Sequence, residues 1–194
     1  MKPQIDIFDG TGKSEHYQIL IDAIKHLGNY KPGTEFRRCN ASEKFIEGLK
    51  SRTSRTQEGF DLADLINTSF KNELFRLPTQ KIILINEPGH HEGRTHRGLT
   101  GGFEVNGKGE YKGTIALTTS GLDLDEFYAV SCHELGHIYG ATSREKGIIN
   151  NGGRHCVDKT CAMHMPSFNH RTRNRRISQT PMYCPECRDG LRKF

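Results

Sequence analysis

Ser131-Cys132-His133-Glu134-Leu135-Gly136-His137-Ile138-Tyr139-Gly140 is the stretch on which the reading of this chain turns. It contains H-E-x-x-H. On a helix, residues four apart lie one turn above each other on one face, so His133 and His137 can present two imidazoles to one point. Neutral imidazole is a good ligand for Zn²⁺, and a catalytic zinc site takes three protein ligands and leaves one position open. Glu134 directly follows the first of the pair. From there its carboxylate can accept a proton from water activated at the ion and pass it to a leaving amine. The alternative is an exposed helix that happens to carry two histidines, since so short a motif recurs by chance. Gly140 suits a helix end where the backbone turns with positive φ, so a third ligand is expected from the chain that follows.

That chain offers Arg154-His155-Cys156, then Cys161-Ala162-Met163-His164, then Cys184-Pro185-Glu186-Cys187. Cys156-x4-Cys161 with Cys184-x2-Cys187 has the paired spacing of a structural tetrahedral site, against the alternative of unligated core cysteines. His155 and Cys156 are adjacent, and successive side chains of an extended backbone point to opposite faces, so the two can serve different metals. His164 is the rival for the third position. Met163, taken alone, reads as a flexible core filler.

The order HELGHxxG, His-Cys, C-x4-C, C-x-M and a distal C-x-x-C resembles that of the archaemetzincins, zinc-dependent metallopeptidases of the metzincin clan. The likeness is specific over residues 131–187 and only permissive before them. It implies hydrolysis of peptide bonds by zinc-activated water, with His133, His137 and His155 on the catalytic zinc and Glu134 as general base. It implies that Met163 forms the methionine turn beneath that site, and that Cys156, Cys161, Cys184 and Cys187 hold a second, structural zinc. Two zinc ions per chain and a peptide or protein substrate follow from it. Two features depart from the family. Fourteen residues separate Gly140 from His155, where the family has its histidine close behind the glycine, and the stretch from Met163 to Cys184 is slightly longer. The segment 141–154 is expected to loop out, because Asn150-Asn151 and Gly152-Gly153 favour turns. H-E-x-x-H beside a basic four-cysteine site also resembles the Spartan-like proteases that act on DNA–protein crosslinks. A DNA-associated zinc protein, either such a protease or a pure binding module, is therefore the alternative.

At 194 residues the chain is long enough to bury a core, and one compact catalytic domain is expected. Residues 1–140 would form its N-terminal subdomain with the catalytic helix, and 141–194 a C-terminal subdomain with the third ligand, methionine turn and structural zinc. No run approaches the roughly 20 apolar residues that span a bilayer, and Met1–Ile7 lacks the apolar region of a secretion signal. With four of six cysteines in ligand spacing, thiolate ligation in a cytoplasmic protein is expected rather than disulfides, leaving Cys39 and Cys132 as free, buried thiols. The net charge of +5 is uneven, with 11 Lys/Arg against 4 Asp/Glu from Arg144 onward. The run His170 to Arg176 reads either as a phosphate-binding patch or as a solvated loop.

Upstream of the motif the pattern predicts an α+β fold, a metzincin-like twisted mixed sheet with packed helices plus the C-terminal zinc-bound subdomain. Strands are expected at Gln4–Phe8, Glu35–Cys39, Lys81–Ile85 and Gly113–Thr119. Helices are expected from Ser14 to Leu27, near Glu43–Leu49, from Asp61 to Pro78, and from Leu124 to Tyr139 behind an Asp123/Glu126 capping box. Residues 51–56 and the glycine-rich stretch 88–112, with His90, His91 and His96, read as polar loops, apart from a hairpin turn at Asn106-Gly107.

Overall fold

The computed structural model describes residues 4–29, 32–39, 42–57, 59–70, 79–105, 110–141, 155–158, 160–164 and 183–193. By Cα proximity the chain falls into two units, Met1–Ser14 with Gly33–Gly121, and Glu15–Pro32 with Leu122–Phe194.

In the first unit β1 (Gln4–Asp9) precedes β2 (Glu35–Arg38), and α2 (Ser42–Lys50) follows; α1 (Ser14–Gly28), between the strands, belongs to the second unit. Next come β3 (Arg55–Thr56), β4 (Gly59–Asp61), α3 (Leu62–Phe70) and β5 (Gln80–Ile85). The unit closes with β6 (Gly89–His91), β7 (Arg94–His96), β8 (Gly98–Val105) and β9 (Glu110–Thr118). Five strands form one sheet in the order β2-β1-β5-β9-β8. The first four run parallel and β8 pairs antiparallel with β9, so the sheet is mixed. Ile82-Ile83-Leu84-Ile85 occupies its centre and is fully buried, as a strand covered on both faces requires.

Charge sets the register beside it. Asp6 stands opposite Arg37 on β2 and Lys81 on β5, at 2.5 Å and 3.3 Å. Burial alone would raise the Asp6 carboxyl, but Arg37, Thr79 and Lys81 outweigh it and hold the group below its usual range. A one-residue slip would turn Asp6 and Lys81 to the opposite face and break both pairs, so the register is strongly specified. On the face that carries Asp6, Phe8, Ile83, Ile85 and Ala116 pack with Ile46 and Leu49 of α2 and Leu62, Leu65 and Ile66 of α3.

Two stretches read as loops hold strands, and β8, which begins at Gly98 within the second of them, pairs with β9 in the first sheet. Arg55–Thr56 and residues 89–96 join Gly59–Asp61 in a second sheet in the order β3-β4-β6-β7. Glu92 and Gly93 both have positive φ, 50° and 70°, the backbone of a tight two-residue hairpin that joins β6 to β7. Pairing here rests on backbone hydrogen bonds, so the polar sequence His-His-Glu-Gly-Arg-Thr-His shows none of the apolar alternation that marks a strand. His90 Nε2 lies 3.1 Å from Thr56 Oγ1 and 3.2 Å from the Gly59 carbonyl, which ties it to this sheet. The expected Asn106-Gly107 turn and the end of the Asp61–Pro78 helix lie outside the described residues.

The second unit holds α1, α4 (Leu124–Ile138), α5 (Pro185–Lys193) and the cysteine-bearing segments. Leu20, Ile21, Ile24 and Leu27 form the buried stripe of α1. His16 meets Phe127 of α4 edge-on at 5.1 Å, and His26 Nδ1 lies 2.7 Å from the Tyr128 hydroxyl. The capping box at the start of α4 is present: Asp123 accepts the Glu126 amide at 2.7 Å, and Glu126 accepts the Asp123 amide at 3.2 Å. Gly140, at φ 72°, ends it. The Ala141 amide reaches the Gly136 carbonyl and the Gly140 amide reaches that of His137, which together form a Schellman stop. Among the described residues no helix is long and apolar enough to cross a membrane.

Candidate metal centres

Because α4 is regular through the motif, His133 and His137 sit one turn apart, and their Nε2 atoms are 3.1 Å apart. His155 joins them: one ring nitrogen from each of the three residues lies within 4.8 Å of the others. The His155 ring stacks on His133 at 5.2 Å between centroids and meets His137 edge-on at 5.1 Å. His164 is not part of that cluster, and its Nδ1 lies 2.8 Å from the Cys156 carbonyl. Glu134 is buried beside His133, with 6% of its surface exposed.

The chemistry of these rings suits a cation. His133 Nδ1 lies 2.6 Å from the Ala162 carbonyl. A carbonyl can only accept, so Nδ1 carries the proton and, in the neutral ring, Nε2 is left as a lone pair aimed at the other imidazoles. Burial pushes the His133 pKa down, and burial together with its His133 and His164 neighbours pushes that of His155 to about 4. Both rings are therefore neutral at pH 7, the form in which an imidazole can take a metal. His155 Nδ1 is buried with no hydrogen-bond partner among the described residues. A metal ion fits this donor set.

The four cysteines form the second cluster. Their sulfurs all lie within 4.8 Å of one another, and Cys156 Sγ is 3.7 Å from Cys184 Sγ. A disulfide would bring that pair to about 2.05 Å, whereas the edge of a tetrahedral zinc–thiolate site with bonds of about 2.3 Å is about 3.8 Å. Backbone amides point at sulfur, Asp158 to Cys156 and Cys184 to Cys161, both at 3.4 Å, as suits thiolate acceptors. A hydrogen bond from Cys187 draws the Cys161 thiol down to about 6, while burial pushes Cys184 up to about 12. Ionising all four in one volume would set their charges against one another, and a bound cation would relieve that repulsion. Zinc fits here as well.

Short backbone bonds shape the segment between the two clusters. The Cys156 amide donates to the Met163 carbonyl at 2.8 Å, and the His164 amide to that of Cys161 at 3.0 Å. In this closed loop His155 belongs to the imidazole cluster and its neighbour Cys156 to the sulfur cluster. Met163 is fully buried, and a Cβ on Gly136 would overlap its sulfur and crowd Tyr183. Gly136→Ala gains about 1 kcal/mol of helix propensity, but overpacking costs about 1–3 kcal/mol. The variant should therefore melt below the parent in a thermal scan; a higher melting temperature would show that α4 does not press on Met163.

Of the two thiols read as free and buried, Cys132 is buried and Cys39 is only half-buried. The Ala162 carbonyl and Tyr183 were not legible as site neighbours, because a backbone carbonyl has no sequence signature and Tyr183 is marked only by adjoining Cys184. The run 170–176 and most of the segment 141–154 lie outside the described residues.

No family model and no curated protein sequence matches this chain. Among solved structures, the crystal structure of archaemetzincin from Methanopyrus kandleri superposes with a TM-score of 0.62 over 98% of this chain and 94% of its own, at 17% identity. The α+β fold of this chain is the archaemetzincin fold.

Proposed function

We propose that this protein is a zinc-dependent metallopeptidase in which His133, His137 and His155 bind the catalytic ion and Cys156, Cys161, Cys184 and Cys187 bind a structural one. The reading is carried by three imidazoles that converge around the buried helix bearing Glu134, within an archaemetzincin fold. When bound at the histidines, zinc supplies a Lewis acid that acidifies water and polarises a peptide carbonyl. The rest falls to the chain. The Ala162 carbonyl holds the His133 ring in the tautomer that keeps Nε2 free for a metal. The Glu134 carboxylate takes a proton from water and returns it to the departing amine. Met163 supports the floor beneath Gly136 as the methionine turn. In this reading residues 1–140 supply the peptidase scaffold and the helix, and 141–194 supply the third ligand and the structural site. The thiolate ligand set suits a reducing compartment, which is why we place the protein in the cytoplasm.

His155→Ala should release one of two zinc ions, while His164→Ala should release none, because His155 and not His164 clusters with His133 and His137. Metal analysis of the two variants decides it, and the reverse pattern would move the third ligand to His164. The whole reading is tested by metal content together with cleavage of a mixed peptide library. Two zinc ions and metal-dependent hydrolysis are expected. A single ion, lost on Cys187→Ser, with no peptide cut, would discard it.

A further inference from the structure

We propose that Tyr183 is a positioning residue for the histidine cluster: its hydroxyl, bonded to the Cys132 carbonyl, transmits the geometry of the four-cysteine cluster to the helix turn that carries His133 and His137. The inference rests on the two-metal reading above and adds a residue that the ligand sets do not contain.

Tyr183 immediately precedes Cys184, whose sulfur lies 3.7 Å from that of Cys156. Its side chain leaves the cysteine cluster and runs to α4, where it is 3% exposed. The hydroxyl donates to the Cys132 carbonyl at 2.6 Å. That carbonyl belongs to the peptide joining Cys132 to His133. In an α-helix it already takes the amide four residues on, that of Gly136, so the hydroxyl uses its second lone pair. The same ring lies 3.1 Å from where a Cβ on Gly136 would stand. Tyr183 thus touches both ends of the turn between the two histidines, once by a polar bond and once by packing. A buried hydroxyl is costly unless paired, so a phenol here specifies one position for the ring where an apolar side chain would only fill space.

The other links from the cysteine segment reach the rings or the far side of the turn: Ala162 to the His133 ring, Met163 to Gly136, and His155 through Cys156. Tyr183 bonds from that segment to the backbone of the motif itself. Groups that orient metal ligands without touching the ion typically change affinity by about 10–100-fold when removed, and the loss of one hydroxyl belongs at the lower end.

The test uses the full chain. Cadmium, which favours thiolate, fills the cysteine cluster and is read by its near-ultraviolet sulfur-to-metal absorption. Cobalt(II) is then titrated into the histidine cluster and read by its visible d–d bands. Y183F should show the same cadmium absorption as the parent, bind cobalt about 10-fold more weakly, and give shifted d–d bands. Unchanged cobalt affinity and spectrum at equal cadmium loading would overturn the proposal. Should Y183F lose the cadmium absorption, 3-fluorotyrosine at position 183 keeps the shape and strengthens the donor; shifted d–d bands then support the role, and unshifted bands overturn it. A parent protein that takes cadmium but shows no cobalt bands sensitive to His137→Ala would instead refute the histidine site itself, and the inference with it.

Discussion

Glu134→Ala should lower peptide hydrolysis by about 10²–10⁴-fold, the usual loss when a positioned acid–base group is removed. Zinc content should stay at the parent value. The two halves of this expectation have different causes. The ring nitrogens of His133, His137 and His155 already cluster without a carboxylate among them, so the metal should not notice the change. In the proposed mechanism Glu134 is the group that takes the proton from water, so the rate should. Single-turnover cleavage of the mixed library together with metal analysis separates the outcomes. Full activity would remove Glu134 from the mechanism, and lost zinc would make it a ligand.

Cys187→Ser should unfold the second unit. Structural zinc in small thiolate sites contributes about 10–16 kcal/mol of apparent folding free energy, against about 5–15 kcal/mol for the net stability of a whole domain. Cys187 is fully buried, and α5 begins at Pro185, between the two distal cysteines. With the cluster opened, α5 loses the ligands at its N-terminal end and keeps its packing, where Leu191 is fully buried and Gly190 lies so close to the Gly140 carbonyl that no side chain fits there. Chelation of the parent protein should have the same effect. Amide hydrogen exchange in α4 and α5, followed with and without chelator, reads it directly. Protection that survives complete loss of zinc would mean that four thiols suffice as a packed core.

Polar patterning misled the reading where strands pair without apolar alternation. His90, His91 and His96 stood in a stretch that looked like loop, yet a positive-φ turn at Glu92-Gly93 makes them a hairpin. Propensity sees side chains, whereas those strands are held by backbone groups that every residue carries. Helix α4 was legible for the opposite reason. Its cap, motif and stop are local, each decided by residues within four or five positions of one another.

The sequence by itself determined the ligand types: two histidines at helical spacing with a carboxylate between them, and two cysteine pairs at tetrahedral spacing. It also determined where the motif helix starts and stops. Only the tertiary structure decided which later histidine stands with that pair. His155 and His164 both adjoin the cysteine segment, and they part because a closed loop with a Cys156–Met163 backbone bond turns His164 back to the Cys156 carbonyl. It alone placed the Ala162 carbonyl on His133, 29 residues apart, and the Tyr183 hydroxyl on Cys132, 51 apart. Contacts across such separations leave no periodic trace in the chain.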